Sequence, residues 1–370
     1  MTFTVTSAAT TLRCNVPDPS SPFSGPVAIT GATGYVAAHV VRELLARGAT
    51  VHATAREPTN QAKVGHLTRL AQESPGTLKL FAADLLDAGS FSAAIDGCEV
   101  VIHTASPFEL SGTQNPQRDL VDPALNGTRN VLKTCSSMPS VRRVVLTSST
   151  YAIYGDPSDC TALGRPLTEE DWNETSSLSY GAYPFSKTVA EREAWKLAGA
   201  QAHWRLVVVN PGFVMGPSLT TRNDSASIDF LLGLIDGRRA SGMWQFYAPW
   251  VDVRDVGCAH VEAALRTDAE GRHALVGDAA GIWDVIHWLR EDFGAKLRLP
   301  RMRVPKWLAY MVAPTAGFSW KYVSSNVDVP LRIDAARSRA RLGLNYRPLR
   351  ETIRAHVEQM IRDGLYVPRG

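Results

Sequence analysis

The sequence predicts a doubly wound α/β fold: a parallel sheet with helices on both faces and a smaller C-terminal lobe. Strand-like and helix-like segments alternate from residue 26 to about residue 211. The strand-like segments are apolar without clean alternation, which is typical of strands buried on both faces. The chain has 370 residues, 45% of them hydrophobic and 20% charged, which suits one large domain or two coupled ones.

The predicted strands cover residues 27–30, 50–54, 78–82, 100–104, 143–148 and 205–210, with a weaker one at 273–276. The predicted helices cover residues 35–47, 61–73, 90–95, 119–137 and 184–197, followed by 282–292, 333–342 and 349–363. We expect an irregular lead-in at residues 1–25 and a main domain at 26–217. Residues 218–370 are expected to form mainly a substrate-binding lobe, interleaved with the last strands of the sheet.

The first strand leads into a glycine turn and a helix, in the segment PVAITGATGYVAAHVV. Gly31 allows a sharp turn, and Gly34 lets the backbone approach a pyrophosphate closely. The helix N-terminus offers free N–H groups and the positive end of its dipole to that anion. This placement predicts a dinucleotide-binding Rossmann domain, although Ala37 stands where a third glycine is usual. The expected cofactor-binding residues here are Gly31, Thr33, Gly34, Tyr35 and Val36.

The end of the second strand predicts which dinucleotide binds. An acidic residue there would bind the ribose 2′-OH of NAD, whereas an arginine accommodates the 2′-phosphate of NADP. This chain has Arg56, with Lys63 seven residues later. NADP(H) is therefore the expected cofactor, and a pair of solvated surface cations is the alternative. Asp84 and Leu85 close the third strand, where the carboxylate would meet the adenine amine or cap a helix.

The segment YPFSK places Tyr183 and Lys187 four residues apart, on one face of a predicted helix. A nearby ammonium and the positive charge of an oxidised nicotinamide would lower the pKa of the phenol. Such a tyrosine can protonate an alkoxide as hydride reaches a carbonyl carbon. The hydroxyl-rich segment at residues 147–150 ends the fifth strand, where it can hold the substrate oxygen.

Together these motifs make the chain resemble the extended-type short-chain dehydrogenase/reductases. The similar group contains dihydroflavonol reductases, cinnamoyl-CoA reductases and fungal aldehyde and ketone reductases. The residues that carry the resemblance are TGATGYVA, TVHATAREPTNQAKV, ADL, HTASPF, NGTRNVL, LTSST, YPFSK, NPGFVMGP and WVDVRDV.

The resemblance implies an NADP-dependent oxidoreductase, with Ser149, Tyr183 and Lys187 as the catalytic triad. It places Arg56 and Lys63 at the 2′-phosphate. Further cofactor contacts are implied at Asp84, Leu85, Thr104, Ala105, Ser106, Tyr183, Lys187, Pro211, Gly212, Phe213 and Val214. The reaction it implies is hydride transfer from NADPH to an aldehyde or ketone with an apolar or aromatic body. No metal is expected.

Three departures from the family pattern bear on function. Ala37 replaces the third glycine, as it does in some carbonyl-reducing members. Tyr154 stands where flavonoid reductases have an asparagine that holds the phenolic ring of the substrate, which counts against a dihydroflavonol. Sugar epimerases of this superfamily would align their hydroxyl on Thr150 instead of Ser149, so the acting hydroxyl stays open.

Phe108, Tyr154 and Tyr247 are the expected substrate contacts. The other C-terminal aromatic residues are expected either in the core or along an apolar pocket. The alternative functions are a nucleotide-sugar epimerase or dehydratase, a steroid dehydrogenase, and a non-catalytic cofactor-sensing protein. Arg56 counts against the first, because those enzymes usually have an acidic residue there.

The net charge of +3 is unevenly distributed, since 16 Lys and Arg face 7 Asp and Glu from Arg290 onward. A solvated basic surface is expected there. The alternative is a face that meets an anionic substrate tail, a carrier or a membrane. Residues 307–312 are apolar but too short to span a bilayer. We expect them to be buried, with a surface-lying segment as the alternative.

The cysteines are scattered, and none lies in a motif with metal-ligand spacing; they are Cys14, Cys98, Cys135, Cys160 and Cys258. Reduced thiols and a cytoplasmic location are the simplest expectation. The N-terminus lacks the features of a signal peptide. We expect a small-molecule carbonyl substrate, no nucleic acid partner, no transmembrane segment, and a monomer or homodimer.

Overall fold

The computed structural model describes residues 23–106, 115–220 and 225–369. Its strands are β1 (Val27–Thr30), β2 (Thr50–Ala55), β3 (Thr77–Ala82), β4 (Val100–His103), β5 (Arg143–Thr147), β6 (Arg205–Pro211), β7 (Phe213–Met215), β8 (Met243–Trp244), β9 (Trp250–Asp252), β10 (Gly271–Leu275) and β11 (Arg303–Val304). Seven of them form one sheet in the order β10-β6-β5-β4-β1-β2-β3. Every neighbouring pair in this sheet is parallel, as predicted.

Helices cover both faces of this sheet and build the C-terminal lobe. They are α1 (Tyr35–Ala46), α2 (Gln61–Gln72), α3 (Ser92–Ile95), α4 (Asp122–Ser137), α5 (Pro157–Leu163), α6 (Ala182–Gly199), α7 (Ala226–Ile235), α8 (Val253–Leu265), α9 (Ile282–Phe293), α10 (Lys306–Val312), α11 (Trp320–Asn326), α12 (Ala336–Leu342) and α13 (Leu349–Arg362). A short π-helical turn, Gln117–Val121, leads into α4.

The seven predicted strands of the sheet are confirmed, and each end lies within two residues of its predicted position. The central strand β1 is fully buried, because helices lie on both of its faces. Strand β3 forms one edge and is partly exposed along its length. The predicted helices are also confirmed, to within three residues at each end.

Helix α8 was not predicted from residue spacing, although it makes extensive contact with α1. Twelve of its thirteen residues are buried, so it has no polar face and no amphipathic period. The two helices approach closely at Gly257, where an added Cβ would lie 3.0 Å from the Cβ of His39. Gly257 of α8 is therefore the small residue that lets α8 pack closely on α1.

The C-terminal lobe has its own apolar core around Trp250, which is fully buried. The expectation that residues 307–312 are buried is wrong. Trp307 is 65% exposed and Met311 is 68% exposed, whereas Ala309 is buried. The apolar segment thus lies on the surface with its large side chains outward.

The cysteines divide into two groups. Cys98, Cys135 and Cys160 are free and buried, as expected of reduced thiols. Cys258 is disulfide-bonded, so the expectation of a reduced thiol is wrong there. Cys14 and the predicted lead-in at residues 1–22 lie outside the described residues. Among the described residues, no helix combines the length and apolar character that crossing a bilayer requires.

Candidate active site

The glycine turn after β1 lies against the end of β4. Gly31 has φ +65°, and a Cβ added to it would lie 2.9 Å from the Cα of Ala105. A side chain at this position would be strained by the backbone conformation and would also collide with backbone. Thr104 and Ala105 are held by hydrogen bonds to Thr30, from Thr104 Oγ1 to the carbonyl (2.5 Å) and from Ala105 N to Oγ1 (3.1 Å).

The N-terminus of α1 is built to receive an anion. Its N-cap is Gly34, which has no side chain to cap the helix, and the first turn contains no acidic residue. The N–H groups of Tyr35, Val36 and Ala37 have no acceptor among the described residues. Three unpaired donors at the positive end of a helix dipole fit a pyrophosphate.

The side chain of Tyr35 contacts the end of β7. Its hydroxyl donates to the carbonyl of Gly216 at 2.5 Å, and its ring stacks on His356. Gly216 N donates to His356 Nδ1 at 3.1 Å. Only the backbone of Tyr35 therefore remains available at the turn, while its side chain joins α1 to the C-terminal lobe.

Arg56 directly follows β2, whereas Lys63 lies in the first turn of α2, and the two cations differ in what they contact. Arg56 is exposed and forms no hydrogen bond or ion pair within the described part of the chain. Lys63 Nζ lies 2.5 Å from Glu57 Oε1, and this hydrogen bond lowers the pKa of the Glu57 carboxyl. Arg56 is thus the uncommitted cation, and Glu57 partly neutralises Lys63.

Asp84 follows β3 and closes a local turn, with Oδ1 accepting a hydrogen bond from Leu86 N at 2.8 Å. The alternative that it caps a helix is wrong, because the N-cap of α3 is Phe91. Leu85 lines a small cavity of about 20 Å³ that also touches Lys187. That volume is enough for about one water molecule.

Tyr183 and Lys187 lie in the first turns of α6, and Lys187 Nζ is 5.4 Å from the centre of the Tyr183 ring. Lys187 Nζ also donates to Ser106 Oγ at 2.7 Å. Burial lowers the pKa of Lys187 to about 8. Burial, with a contribution from Tyr151, raises the pKa of Tyr183, which is the opposite of the predicted direction.

The two candidate hydroxyls at the end of β5 have different surroundings. Ser149 is half-buried, and its Oγ accepts a hydrogen bond from Tyr151 N at 3.2 Å. Thr150 is only 2% exposed, and its side chain is hydrogen-bonded to the Tyr154 hydroxyl. Of these two residues, Ser149 is the more accessible.

Behind the hydroxyl-rich segment at residues 147–150 lies a buried polar network that residue spacing did not predict. The carboxylate of Glu191 accepts hydrogen bonds from Ser148 Oγ (2.5 Å), Asn210 Nδ2 (2.7 Å), Arg272 Nε (2.5 Å) and Trp195 Nε1 (3.2 Å). The Glu191 side chain is 0% exposed and that of Arg272 is 7% exposed. Glu191 lies one helical turn after Lys187, and that spacing is its only signal in the sequence.

This network holds the backbone at both ends of residues 149–152. Asn210 Nδ2 donates to the carbonyl of Ser149 at 3.1 Å, and Arg272 donates to the carbonyl of Ala152 at 3.1 Å. Arg272 also donates to the carbonyls of Glu169 (2.8 Å) and Asp171 (2.6 Å). The position of Ser149 therefore depends on side chains from β6 and β10.

Aromatic side chains surround the Tyr183 ring. Tyr151 is 37% exposed and meets Tyr183 edge-on, with ring centres 6.1 Å apart. Tyr154 lies behind Tyr151 at 5.6 Å and is 4% exposed. Tyr247 packs against the same cluster as Tyr154. Tyr151 was not predicted, and Phe108 lies outside the described residues.

The predicted nicotinamide segment, residues 211–214, follows β6. A Cβ on Gly212 would lie 1.8 Å from the carbonyl oxygen of Pro249, so only glycine fits there. Phe213 stacks on Trp250 with ring centres 5.0 Å apart, and its side chain therefore belongs to the core of the lobe.

The chain is similar in sequence and in fold to known proteins. The model of the NAD dependent epimerase/dehydratase family matches residues 27–277. A cinnamoyl-CoA reductase of Medicago truncatula is 38% identical over 346 residues, covering 92% of this chain and 97% of the relative. An anthocyanidin reductase of Vitis vinifera is 35% identical, covering 75% and 82%. The structure of Gre2 from Candida albicans in complex with NADPH has a TM-score of 0.73 at 27% identity, covering 91% and 99%.

The network around Glu191 generates a stability prediction. Arg272→Met should lower the free energy of unfolding by about 3–5 kcal/mol, because it leaves a buried carboxylate without its ionic partner. The matched control is Arg192→Met, which removes a solvent-exposed ion pair with Glu174 and should cost about 1 kcal/mol or less. Urea denaturation of both variants measures the difference. Equal losses would show that the buried pair contributes no more than the exposed one.

Proposed function

The chain belongs to the NAD dependent epimerase/dehydratase family, and we propose that it is an NADPH-dependent carbonyl reductase. Its substrate is an aldehyde or ketone with an apolar or aromatic body. The observation that carries the proposal is the hydrogen bond from Lys187 to Ser106. Ser106 follows Ala105, which packs under Gly31, so this bond joins the Tyr-x-x-x-Lys helix to the dinucleotide turn.

NADPH fits the hydrogen-bond donors at the carboxyl ends of the parallel strands. The unpaired N–H groups at the start of α1 would hold the pyrophosphate, and Arg56 would hold the 2′-phosphate with Lys63 beside it. Asp84 and Leu85 would meet the adenine. The ends of β4 and β6 would border the nicotinamide through residues 104–106 and 211–214. When bound, NADPH supplies the hydride.

The protein's own residues then act on the carbonyl oxygen. Ser149 orients that oxygen by a hydrogen bond, and Tyr183 gives its phenolic proton to it. The raised pKa of Tyr183 keeps the phenol protonated at neutral pH. Lys187, protonated below about pH 8, stabilises the phenolate that remains after proton transfer.

The surroundings of Tyr183 support an apolar or aromatic substrate body. Tyr151 is the partly exposed ring at its edge, and we assign it to the substrate contact. Tyr154 and Tyr247 support Tyr151 from the cluster behind it. The test of the overall proposal is NADPH depletion across a panel of aldehydes, ketones and acyl-CoA thioesters. Consumption with an apolar or aromatic carbonyl supports it, and no consumption with any member contradicts it.

Tyr183→Phe should lower kcat by roughly 100- to 10,000-fold, because it removes the proton donor but keeps the ring. The Kd of NADPH should stay near the wild-type value. Tyr366→Phe is the matched control, since it removes a hydroxyl that bonds to the Lys296 carbonyl. Steady-state kinetics and a fluorescence titration measure both quantities. A Tyr183→Phe variant with a near wild-type rate would mean that another group donates the proton.

Arg56→Ala should weaken NADPH binding by about 10- to 150-fold, because a charge-assisted hydrogen bond contributes about 1.5–3 kcal/mol. NADH affinity should stay unchanged, since NADH has no 2′-phosphate. Lys63→Ala should act in the same direction but less, because Glu57 already engages that ammonium. The measurement is the Kd of both cofactors at one ionic strength, with Arg69→Ala as a surface control. Equal losses for NADPH and NADH would contradict this role for Arg56.

The pH dependence of reduction should follow Lys187. Its pKa of about 8 predicts that kcat/KM falls as the pH rises through 8, because deprotonation removes the charge that stabilises the phenolate. Lys187→Arg stays protonated, so its residual activity should lack this step. A wild-type profile that is flat from pH 7 to pH 10 would show that the charge of Lys187 is not required.

A further inference from the structure

Residues 293–327 form a basic segment that the proposed reaction does not use. It contains six Lys and Arg and no Asp or Glu. Of the eleven large apolar side chains exposed among the described residues, six lie within residues 302–320. These six are Met302, Trp307, Met311, Val312, Phe318 and Trp320. We call residues 302–321 the apolar hairpin, because α10 and the start of α11 pack against each other within it.

Helix α10 buries its alanine and leaves Trp307 and Met311 exposed, whereas others of its large side chains are partly buried. Ala309 and Ala313 are buried in a small core with Val323 of α11. Trp307 and Met311, one turn apart, are 65% and 68% exposed. A helix that served only the fold would bury the larger pair, so this orientation indicates a face for contact with something outside the chain.

The exposed rings are held in place by neighbouring groups. Trp320 is 68% exposed, yet its Nε1 donates to the carbonyl of Tyr310 at 3.2 Å. Phe318 meets Trp244 edge-on at 5.2 Å and contacts Tyr322 at 4.7 Å. The apolar face is therefore already formed in the protein before any partner arrives.

Cations border this face. Arg301, Lys306 and Lys321 have no ion-pair partner in the described ranges, whereas Arg303 pairs with Asp328. Lys321 lies over the ring of Tyr180 at 3.9 Å, and Lys306 donates to the carbonyl of Ser324 at 3.2 Å. The long side chains are thus supported while their charges stay uncompensated.

We propose that the apolar hairpin docks in the plane of an anionic lipid bilayer. Tryptophan favours the interface between water and lipid, and lysine and arginine beside it favour anionic headgroups. A second copy of the chain is a poorer occupant. A twofold contact through this face would bring like charges together, which is unfavourable.

The hairpin also connects with the cleft. Phe318 contacts Tyr322, and Lys321 lies over Tyr180, whose hydroxyl donates to Asp156 shortly after Tyr154. Docking would bring the part of the protein around Tyr180 and Asp156 close to the lipid surface, where a carbonyl compound with an apolar body partitions. This last step rests on the proposed function, whereas the docking itself does not.

The test is sedimentation of the full chain with vesicles of phosphatidylcholine, with and without phosphatidylserine. Wild-type protein should bind the phosphatidylserine vesicles at ~0.05 M salt and bind them much less at ~0.5 M salt, because salt screens the charges. Trp307→Ser/Trp320→Ser should lower the partition coefficient at least tenfold. Lys306→Gln/Lys321→Gln should lower it by about fivefold per charge removed.

Matched controls remove similar groups elsewhere. Leu163→Ser/Val367→Ser changes exposed apolar residues, and Lys133→Gln/Lys196→Gln changes exposed lysines; both should bind like wild type. Reduction of a water-soluble carbonyl without vesicles should be the same in all four double variants. The sedimentation assay follows protein mass, so its result does not depend on whether the chain reduces any carbonyl.

Three results would overturn the proposal. The first is no binding of wild type to phosphatidylserine vesicles at low salt. The second is an equal loss of binding in the hairpin variants and their controls. The third is a wild-type dimer that becomes monomeric in Trp307→Ser/Trp320→Ser without any vesicle binding, which would make the hairpin an interface between copies.

Discussion

The carboxylate of Glu191 is fully buried, and donors from four elements converge on it. Ser148 follows β5, Asn210 lies in β6, Arg272 in β10, and Trp195 in the same helix as Glu191. A buried carboxylate is costly unless its charge is paired and its lone pairs are satisfied, so these donors must hold their positions together. Because Lys187 is one turn away on α6, the same constraint fixes that part of α6 against the end of β5.

The arrangement of the candidate active site follows from the carboxyl ends of the parallel strands. Parallel strands end on the same side, so the glycine turn, the serine segment and the arginine after β2 meet there. The close approach of Gly31 to Ala105 and the bond from Lys187 to Ser106 join the glycine turn to the helix that carries Tyr183 and Lys187. Burial of the pair then keeps Tyr183 protonated and brings the pKa of Lys187 close to physiological pH.

The sequence predicted the sheet well because strands buried on both faces appear as short apolar runs between turns. It missed α8 for the same physical reason, since a helix buried all round has no polar face to reveal its period. Spacing and resemblance predict Tyr183, Lys187 and Ser149 as the catalytic residues, and this stays a prediction. Glu191 and Tyr151 were missed because their contacts form only in the folded chain. Residues 307–312 were misjudged because apolar composition does not say whether a segment faces the core or the solvent.

The proposed function requires that hydride pass from NADPH to a carbonyl carbon at the carboxyl ends of these strands. Its most direct test uses NADPH deuterated at the transferring position of C4, with a carbonyl that the enzyme reduces and mass spectrometry of the product. The account predicts one deuterium, at the carbon that becomes the carbinol, with one NADPH consumed for each product. A product without deuterium, or a substrate that is isomerised with no net use of NADPH, would contradict it.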